Sequence, residues 1–373
     1  MKFRVERDAL ADAVAWTARS LPSRPAVPVL AGVLLSAADS SLSVSGFDYE
    51  VSAQVDIEVN VITPGQVLVS GRLLAEISRA LPPHPVEVTV DGSRVTIVCG
   101  STRFTLPTMP IEDYPRLPAM PTTAGTVSSA LFAQAVAQVA VAAGRDDTLP
   151  MLTGVRMEID GDRLTLAATD RYRLAVREVN WNPADPTAEP VQVLVPAKTL
   201  ADAAKSLTSD ELVTIALSST GVGEGIIGFS STGRRTTTRL LDAQFPPYRS
   251  LLPSDFAVSA DIQVSALVDA VKRVSLVADR GTPVRLDFTN GSVGLSAGGE
   301  DEGRAEEQVE ADFEGDDITT AFNPTFLLDG LSAVGASTAR LLFTTATKPA
   351  VIRAAEADSA IYTYLIMPVR LPG

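Results

Sequence analysis

PMLTGVRMEIDGDRLTLAATDRYRLAVREV, Pro150 to Val179, decides the fold, because relatives of it occur once earlier and once later in the same chain. The earlier relative, PVLAGVLLSAADSSLSVSGFDYEVSAQV, runs from Pro28 to Val55; its Pro28, Leu30, Gly32 and Val33 match Pro150, Leu152, Gly154 and Val155 at a constant offset. The later one, TPVRLDFTNGSVGLSAGGEDEGRAEEQV, runs from Thr282 to Val309 and is far more acidic. Each reads as an apolar strand, a Gly/Asp/Ser turn, a second alternating strand, and a polar turn that starts another. A recurring unit of this size means tandem domains rather than a solenoid, whose repeats run to roughly 20–50 residues.

The repeat extends outward in both directions. A helix is expected ahead of each strand pair, first over Asp8 to Ser20 with Leu10, Ala13, Val14, Thr17 and Leu21 on one face, then over Ser128 to Ala143 and Val264 to Ala278. DALADAV, ALFAQAV and SALVDAV are the corresponding segments. A second helix follows each pair, in VLVSGRLLAEISRAL, VLVPAKTLADAAKSL and TAFNPTFLLDGLSAV, with Leu74, Leu200 and Leu327 at nearly equal spacing. Further alternating strands close each copy. The Pro-rich PTMPIEDYPRLPAMPTTAG and FPPYRSLLPSD read as linkers, so domains are expected at 1–123, 124–254 and 255–373. The fold class is α+β, with two helices on antiparallel sheets in each domain.

The 373 residues, 46% of them apolar, suffice for a separate core in each domain. A formal charge of −14 excludes a protein coated in basic patches, so any nucleic-acid contact must come from a local, sheltered positive region. A single cysteine, Cys99, leaves no disulfide framework and fits a reducing cytoplasm. MKFRVERDAL carries charges where a signal peptide needs an apolar core, and no apolar run reaches the ~18 residues of a span. A soluble, intracellular protein is expected.

Catalysis finds little support. The single histidine, His84, sits between prolines in PPHP, a surface loop rather than a general base. Asp146 and Asp147 are paired and Asp170 follows a strand, but no histidine, cysteine or spaced carboxylate set accompanies them to hold a metal or activate water. GVGEG from Gly221 lies between two strand-like runs, which suits a hairpin rather than a phosphate loop. No catalytic site, cofactor or metal is expected.

The second helices carry the informative charges. Arg72 and Arg79 lie seven positions apart, together on the face opposite Leu74, Ile77, Ser78 and Leu81, and Lys198 and Lys205 repeat them in the next copy. The third copy has Thr325 and Ser332 there and places Lys272 and Arg273 on its opening helix instead. A solvated face and phosphate contact both fit such a pair. Its repetition in an acidic chain favours phosphate.

SRPAVPVLAGVLL, ATDRYRLA, LVPAKTL, LDAQFPPYRSLLP, AFNPTFLLDGL and the terminal YLIMPVRLP, in this order over essentially the whole chain, resemble the beta sliding clamp family of bacterial DNA polymerase III. The resemblance implies three clamp domains joined head to tail in a homodimer, a closed six-domain ring around duplex DNA, with helices lining the hole. DNA carries a negative charge per ~1.7 Å of axis, so a basic lining attracts it without reading bases. Arg24, Arg72, Arg79, Lys198, Lys205, Lys272 and Arg273 would face the duplex. Retention would be topological, and a tethered polymerase would gain processivity through local concentration. The chain would act in the cytoplasm at the nucleoid, and a loader driven by ATP would open the ring.

Unpaired strand edges of opposite charge can join as one sheet across two chains. Glu300, Asp301, Glu302, Glu306 and Glu307 of the third copy, and Arg94 and Arg103 of the first, supply the charges, with Phe104, Leu106 and Leu276 as the apolar seam. The resemblance also implies an apolar cleft for short peptides of polymerases, the loader and repair proteins. Its matching positions are Leu152, Thr169, Arg173, Leu174, Pro246, Leu251, Asn323, Phe326, Met367 and Pro368, with Leu365, Ile366, Val369, Arg370 and Leu371 nearby. Arg171 and Tyr172 in the turn, and Gly281, Thr282 and Pro283, depart from the best-known family pattern. The competing reading is a β-rich protein-interaction scaffold that does not encircle DNA.

Overall fold

The structure is a computed structural model that describes residues 1–208, 210–218, 225–278, 281–298, 303–356 and 362–370. The first expected helix forms as α1, Arg7–Ala18, and buries Leu10, Ala13, Val14, Trp16 and Thr17. Thr17 tolerates full burial because its hydroxyl donates to the Val44 carbonyl at 3.2 Å. Helix α2, Gly71–Ala80, buries Leu74, Ile77 and Ser78, leaving Arg72 and Arg79 exposed as the spacing requires. It packs on α1, and its first residue must be small: a Cβ on Gly71 would stand 2.3 Å from Leu21 Cδ1.

Helices α3, Ser129–Ala140, and α4, Ala197–Ser206, occupy the expected places in the middle copy. Helix α5, Val264–Val274, buries Leu267, Ala270, Val271 and Val274 and passes into a short 3-10 turn, Ser275–Val277. Helix α6, Pro324–Ala333, has the full start signal: the Asn323 side chain accepts from the amides of Thr325 and Phe326, and Pro324 fills the first turn.

The chain divides into two compact units. The first comprises Met1–Ser129, Asn182–Asp185 and Asp202–Leu240. It holds a five-stranded antiparallel sheet, in order Asn60–Thr63, Lys2–Val5, Val86–Asp91, Arg94–Cys99 and Thr102–Pro107. It also holds a nine-stranded sheet in which four strands of the first copy continue into strands of the second. The join is Val51–Glu58 against Arg234–Arg239, with Arg234 opposite Val55. The side chains of Ser52 and Thr237 hydrogen-bond across it at 2.6 Å, and Arg235 pairs with Asp56 at 2.6 Å.

The second unit comprises Ala130–Trp181, Pro186–Ala201 and the chain from Leu241 onward. Its nine-stranded sheet repeats the join one copy later: Arg173–Asn180 lies antiparallel to Tyr362–Ile366, with Arg177 opposite Tyr362. A four-stranded sheet, in order Arg304–Glu310, Ser292–Gly298, Val284–Thr289 and Ile318–Phe322, completes it. Two of the sheets end in strands of opposite charge. Thr102–Pro107 ends the five-stranded sheet and Arg304–Glu310 ends the four-stranded one. The compact units do not follow the 1–123, 124–254 and 255–373 division, because both long sheets run through from one copy to the next; residue 123 itself lies inside the strand Thr122–Ser128.

Helix α6 meets its sheet through Gly330, where a Cβ would lie 2.4 Å from the Tyr364 ring. Gly330→Val is expected to lower stability by about 2 kcal/mol through overpacking, measured by urea unfolding.

Candidate functional site

The segment Thr169 to Leu174 makes a tight turn held from within. Asp170 Oδ1 accepts from the amides of Tyr172 and Arg173 at 3.0 and 3.1 Å, and Thr169 Oγ1 donates to the Arg173 carbonyl at 2.6 Å. The turn forces Arg171 into the left-handed region, φ 79°, where a side chain is strained. The Tyr172 carbonyl accepts from the Met367 amide at 2.8 Å, and the Val369 amide donates to the Ala321 carbonyl at 2.8 Å. These two bonds lay the C-terminal segment between the turn and the start of α6.

Arg173 is the hub. Its side chain is 8% exposed, and it pairs with Asp170 at 2.9 Å and Asp329 at 2.5 Å while its guanidinium lies 4.3 Å from the centre of the Phe326 ring. Burial works against its charge, but Tyr364, Asp329 and Asp170 outweigh it and hold the group protonated above its ordinary range. Tyr364 donates to the Phe326 carbonyl at 2.8 Å, and its own phenol is pushed up by burial. Tyr172 stacks on Phe326, with centroids 6.3 Å apart and an interplanar angle of 24°. Leu174 and Leu365, opposite each other in register, join Phe245, Tyr248 and Val351 in the apolar floor. Burial also raises Tyr248, to about 12.

Thr169, Arg171, Tyr172, Arg173, Leu174, Asn323, Phe326, Leu365, Ile366, Met367, Pro368 and Val369 are thus brought together by direct contacts or adjacent backbone. Pro246 is half-buried beside Phe245 of the floor, Leu251 is exposed past Tyr248, Leu152 is buried, and Arg370 is exposed. Leu371 lies outside the described residues. Sequence reasoning missed Asp329 and Tyr364. Asp329 was findable as the one charged residue in the otherwise apolar PTFLLDGLSA; Tyr364 looks like any strand core residue.

The basic positions fall less uniformly. Arg24, Arg79, Lys198, Lys205 and Lys272 are exposed. Arg72 is exposed but ion-paired with Glu76 at 3.1 Å, one turn along its helix. Arg273 pairs with Glu307, its Nε donating to Oε2 at 2.9 Å, so its guanidinium is turned toward the strand Arg304–Glu310. That partner lowers the Glu307 carboxyl. At the edges, Arg94 and Arg103 are exposed, Phe104 is half-buried and Leu106 is in the core at 5% exposure. Leu276 stands 84% exposed in the 3-10 turn beside Arg304–Glu310. Glu306 pairs with Arg304, and Glu300, Asp301 and Glu302 lie outside the described residues.

Other candidates resolve simply. Of GVGEG only Gly225 is described, and the strands around it, Leu212–Leu217 and Ile226–Ser231, pair antiparallel. Among the described residues no cluster of His, Cys, Asp and Glu could hold a metal ion, and no helix is long and apolar enough to cross a membrane. Gly281 adopts φ 97° next to Thr282 and Pro283.

Replacing Arg173 with Met leaves two carboxylates facing an apolar floor, and urea unfolding should show a loss of about 2–3 kcal/mol, below the full buried-pair penalty because Asp329 is 36% exposed. Arg171→Gly relieves the left-handed strain and should gain about 1 kcal/mol in the same assay.

The models of the DNA polymerase III beta subunit match the chain three times in succession: N-terminal domain over residues 1–118, central domain over 126–247 and C-terminal domain over 249–370. The beta sliding clamp of Streptomyces coelicolor is 61% identical over 378 residues, covering 100% of both chains. Among solved structures, the DNA polymerase sliding clamp of Bacillus subtilis superposes with a TM-score of 0.92 at 28% identity over 100% of both chains. The Pseudomonas aeruginosa sliding clamp bound to griselimycin also gives 0.92, at 27% identity and the same coverage. Helix-on-sheet domains in tandem, three successive domain matches and full-length relatives leave one conclusion: the chain belongs to the beta sliding clamp family of bacterial DNA polymerase III, non-catalytic processivity factors that encircle duplex DNA without reading its sequence and tether the polymerase.

Proposed function

We propose that partners of this clamp, the replicative polymerase, the loader and repair proteins, dock short peptides in the cleft built around Arg173. The observation that carries this reading is the exposure of apolar side chains above a rigid floor. Tyr172, Leu251, Met367 and Val369 are 55, 53, 39 and 38% exposed, close to a buried apolar cluster and an ion-paired arginine. Adaptable apolar groups over a fixed base, with polar groups that set orientation, is the build of a peptide site. Leu152, Pro246, Leu365, Ile366, Pro368 and Arg370 complete it, and Leu371 lies outside the described residues.

The same reading closes the ring by strand pairing. The two joins seen within the chain set a rule: the last of three consecutive antiparallel strands of one copy pairs with the third strand of the preceding copy. Thr102 opens such a last strand as Arg234 does, facing Cys99 as Arg234 faces Ser231. Glu307 faces Leu295 as Arg177 faces Leu166 and Val55 faces Val44. Pairing two copies by this rule sets Thr102 opposite Glu307, Arg103 opposite Glu306 and Phe104 opposite Ala305. Opposite charges then meet across the strands, and Leu276 gains cover beside Phe104. Arg94 flanks this seam.

The exposed Arg24, Arg72, Arg79, Lys198, Lys205 and Lys272 face the DNA in this reading. Arg273, held by Glu307, contributes at the edge of that surface. The domain limits 1–123, 124–254 and 255–373 remain our division of the chain, and its place of work is the cytoplasm at the nucleoid, where an ATP-driven loader opens the ring.

Three outcomes are expected. Loaded onto nicked circular DNA by its cognate loader, the protein should stay on the circle and leave once the circle is cut; equal loss from both forms would contradict a topological link. Leu174→Ala with Met367→Ala should abolish binding of a polymerase peptide in fluorescence polarisation while sedimentation still shows a dimer. Leu276→Asp should weaken the dimer by at least about 2 kcal/mol, read from the concentration dependence of sedimentation.

A further inference from the structure

A second hollow lies in the first unit, where strand Val51–Glu58 meets strand Arg234–Arg239. It measures about 270 Å³ and is walled by Phe47, Tyr49, Pro115 and Ile226, with Arg116, Arg239 and Glu50 as its charged groups. Its framework repeats that of the Arg173 cleft. Asp48 Oδ1 accepts from the amides of Glu50 and Val51 at 3.0 and 2.7 Å, as Asp170 does from Tyr172 and Arg173. Tyr49 is forced to φ 76°, as Arg171 is to 79°. The Arg239 amide donates to the Glu50 carbonyl at 3.0 Å, as the Met367 amide does to that of Tyr172. In the linker, Pro115 follows Tyr114 as Pro246 follows Phe245.

The walls favour one kind of guest. The Phe47 and Tyr49 rings lie 5.9 Å apart at 59°, a tilted aromatic contact that makes one apolar wall, and Tyr49 is 48% exposed. The Phe47 amide donates to the Tyr114 hydroxyl at 2.8 Å, which anchors the wall to the one buried side chain of residues 111–120. The two arginines outnumber Glu50, so the hollow prefers an anion among its apolar walls. Its volume is below the roughly 300–1,000 Å³ of sites for drug-sized ligands, which limits it to one or two side chains.

We propose that this hollow is a second peptide-binding site, taking from a partner protein an extended segment in which an apolar side chain adjoins a carboxylate. The proposal rests on the reading of the Arg173 cleft as a peptide site, because the shared framework is what marks the hollow as more than a surface dent. Strained turns kept at both positions are consistent with a working role at both.

The test uses the full-length protein with methyl-labelled Ile and Met, titrated with the probe acetyl-Asp-Leu-Phe-amide and followed by NMR at Ile226 and Met367. The Ile226 methyl should shift saturably, and should still do so in the Leu174→Ala, Met367→Ala protein. Arg239→Gln, or the probe with Asn in place of Asp, should weaken the Ile226 response roughly tenfold. A still Ile226, or a response lost together with the cleft, overturns this site. A Met367 shift without an Ile226 shift overturns it and leaves the cleft standing, whereas an Ile226 shift without one at Met367 sinks the cleft alone.

Discussion

A strand at the edge of a sheet carries a row of unpaired backbone groups, and the whole architecture follows from where those edges are satisfied. Each copy of the repeat has one strand that ends its sheet and another that can receive the next copy. Twice within the chain the two meet, at Val51–Glu58 with Arg234–Arg239 and at Arg173–Asn180 with Tyr362–Ile366. One edge of each kind is then left over, at Thr102–Pro107 and Arg304–Glu310. Long antiparallel edges are avoided in isolated proteins because they invite association. In the head-to-tail dimer that we propose, strand pairing consumes both edges.

The cleft that we propose for peptides lies at one of those same joins. A strand that crosses from one copy to the next brings its end against a turn of its neighbour, which places Met367 beside Tyr172 and Arg173 beside Asp329. Arg173 makes the cleft floor rigid because it cannot leave without stranding two carboxylates. The apolar groups above it, Tyr172, Met367 and Val369, are exposed. A fixed base and an exposed rim suit the role that we propose, a surface that takes several partners in turn.

Much of this was legible in the chain. Strand alternation marked the three copies, the repeated Pro, Leu, Gly and Val positions tied the first two, and helical spacing put Leu10, Ala13, Val14 and Thr17 on the buried face of α1, while Leu21 of the same expected face lies past its end at Ala18. The basic pair Arg72 and Arg79 of α2 could be placed on its exposed face for the same reason. The continuation of sheets from copy to copy was not legible, because pairing between distant strands leaves no local mark in composition or period. It is also why compact units cut across the domain limits read from the linkers. Charge partners were hidden likewise: Arg273 reads as one more basic residue on a helix face, and only the fold brings Glu307 to it. Alternation alone likewise does not tell an inward face from a subunit face at a sheet edge, and Leu106 of the edge strand is buried within its own chain.

The most direct measurement asks whether the third join obeys the rule of the first two. Thr102→Cys combined with Glu307→Cys, oxidised in the full-length protein and run without reductant, should give a covalent dimer, since directly opposed residues without mutual hydrogen bonds bring Cα atoms to about 4.5 Å, within disulfide reach. Arg103→Cys with Glu307→Cys, one residue out of register and so on opposite faces, should not. Failure of the first pair, or equal cross-linking by both, would contradict closure by strand pairing.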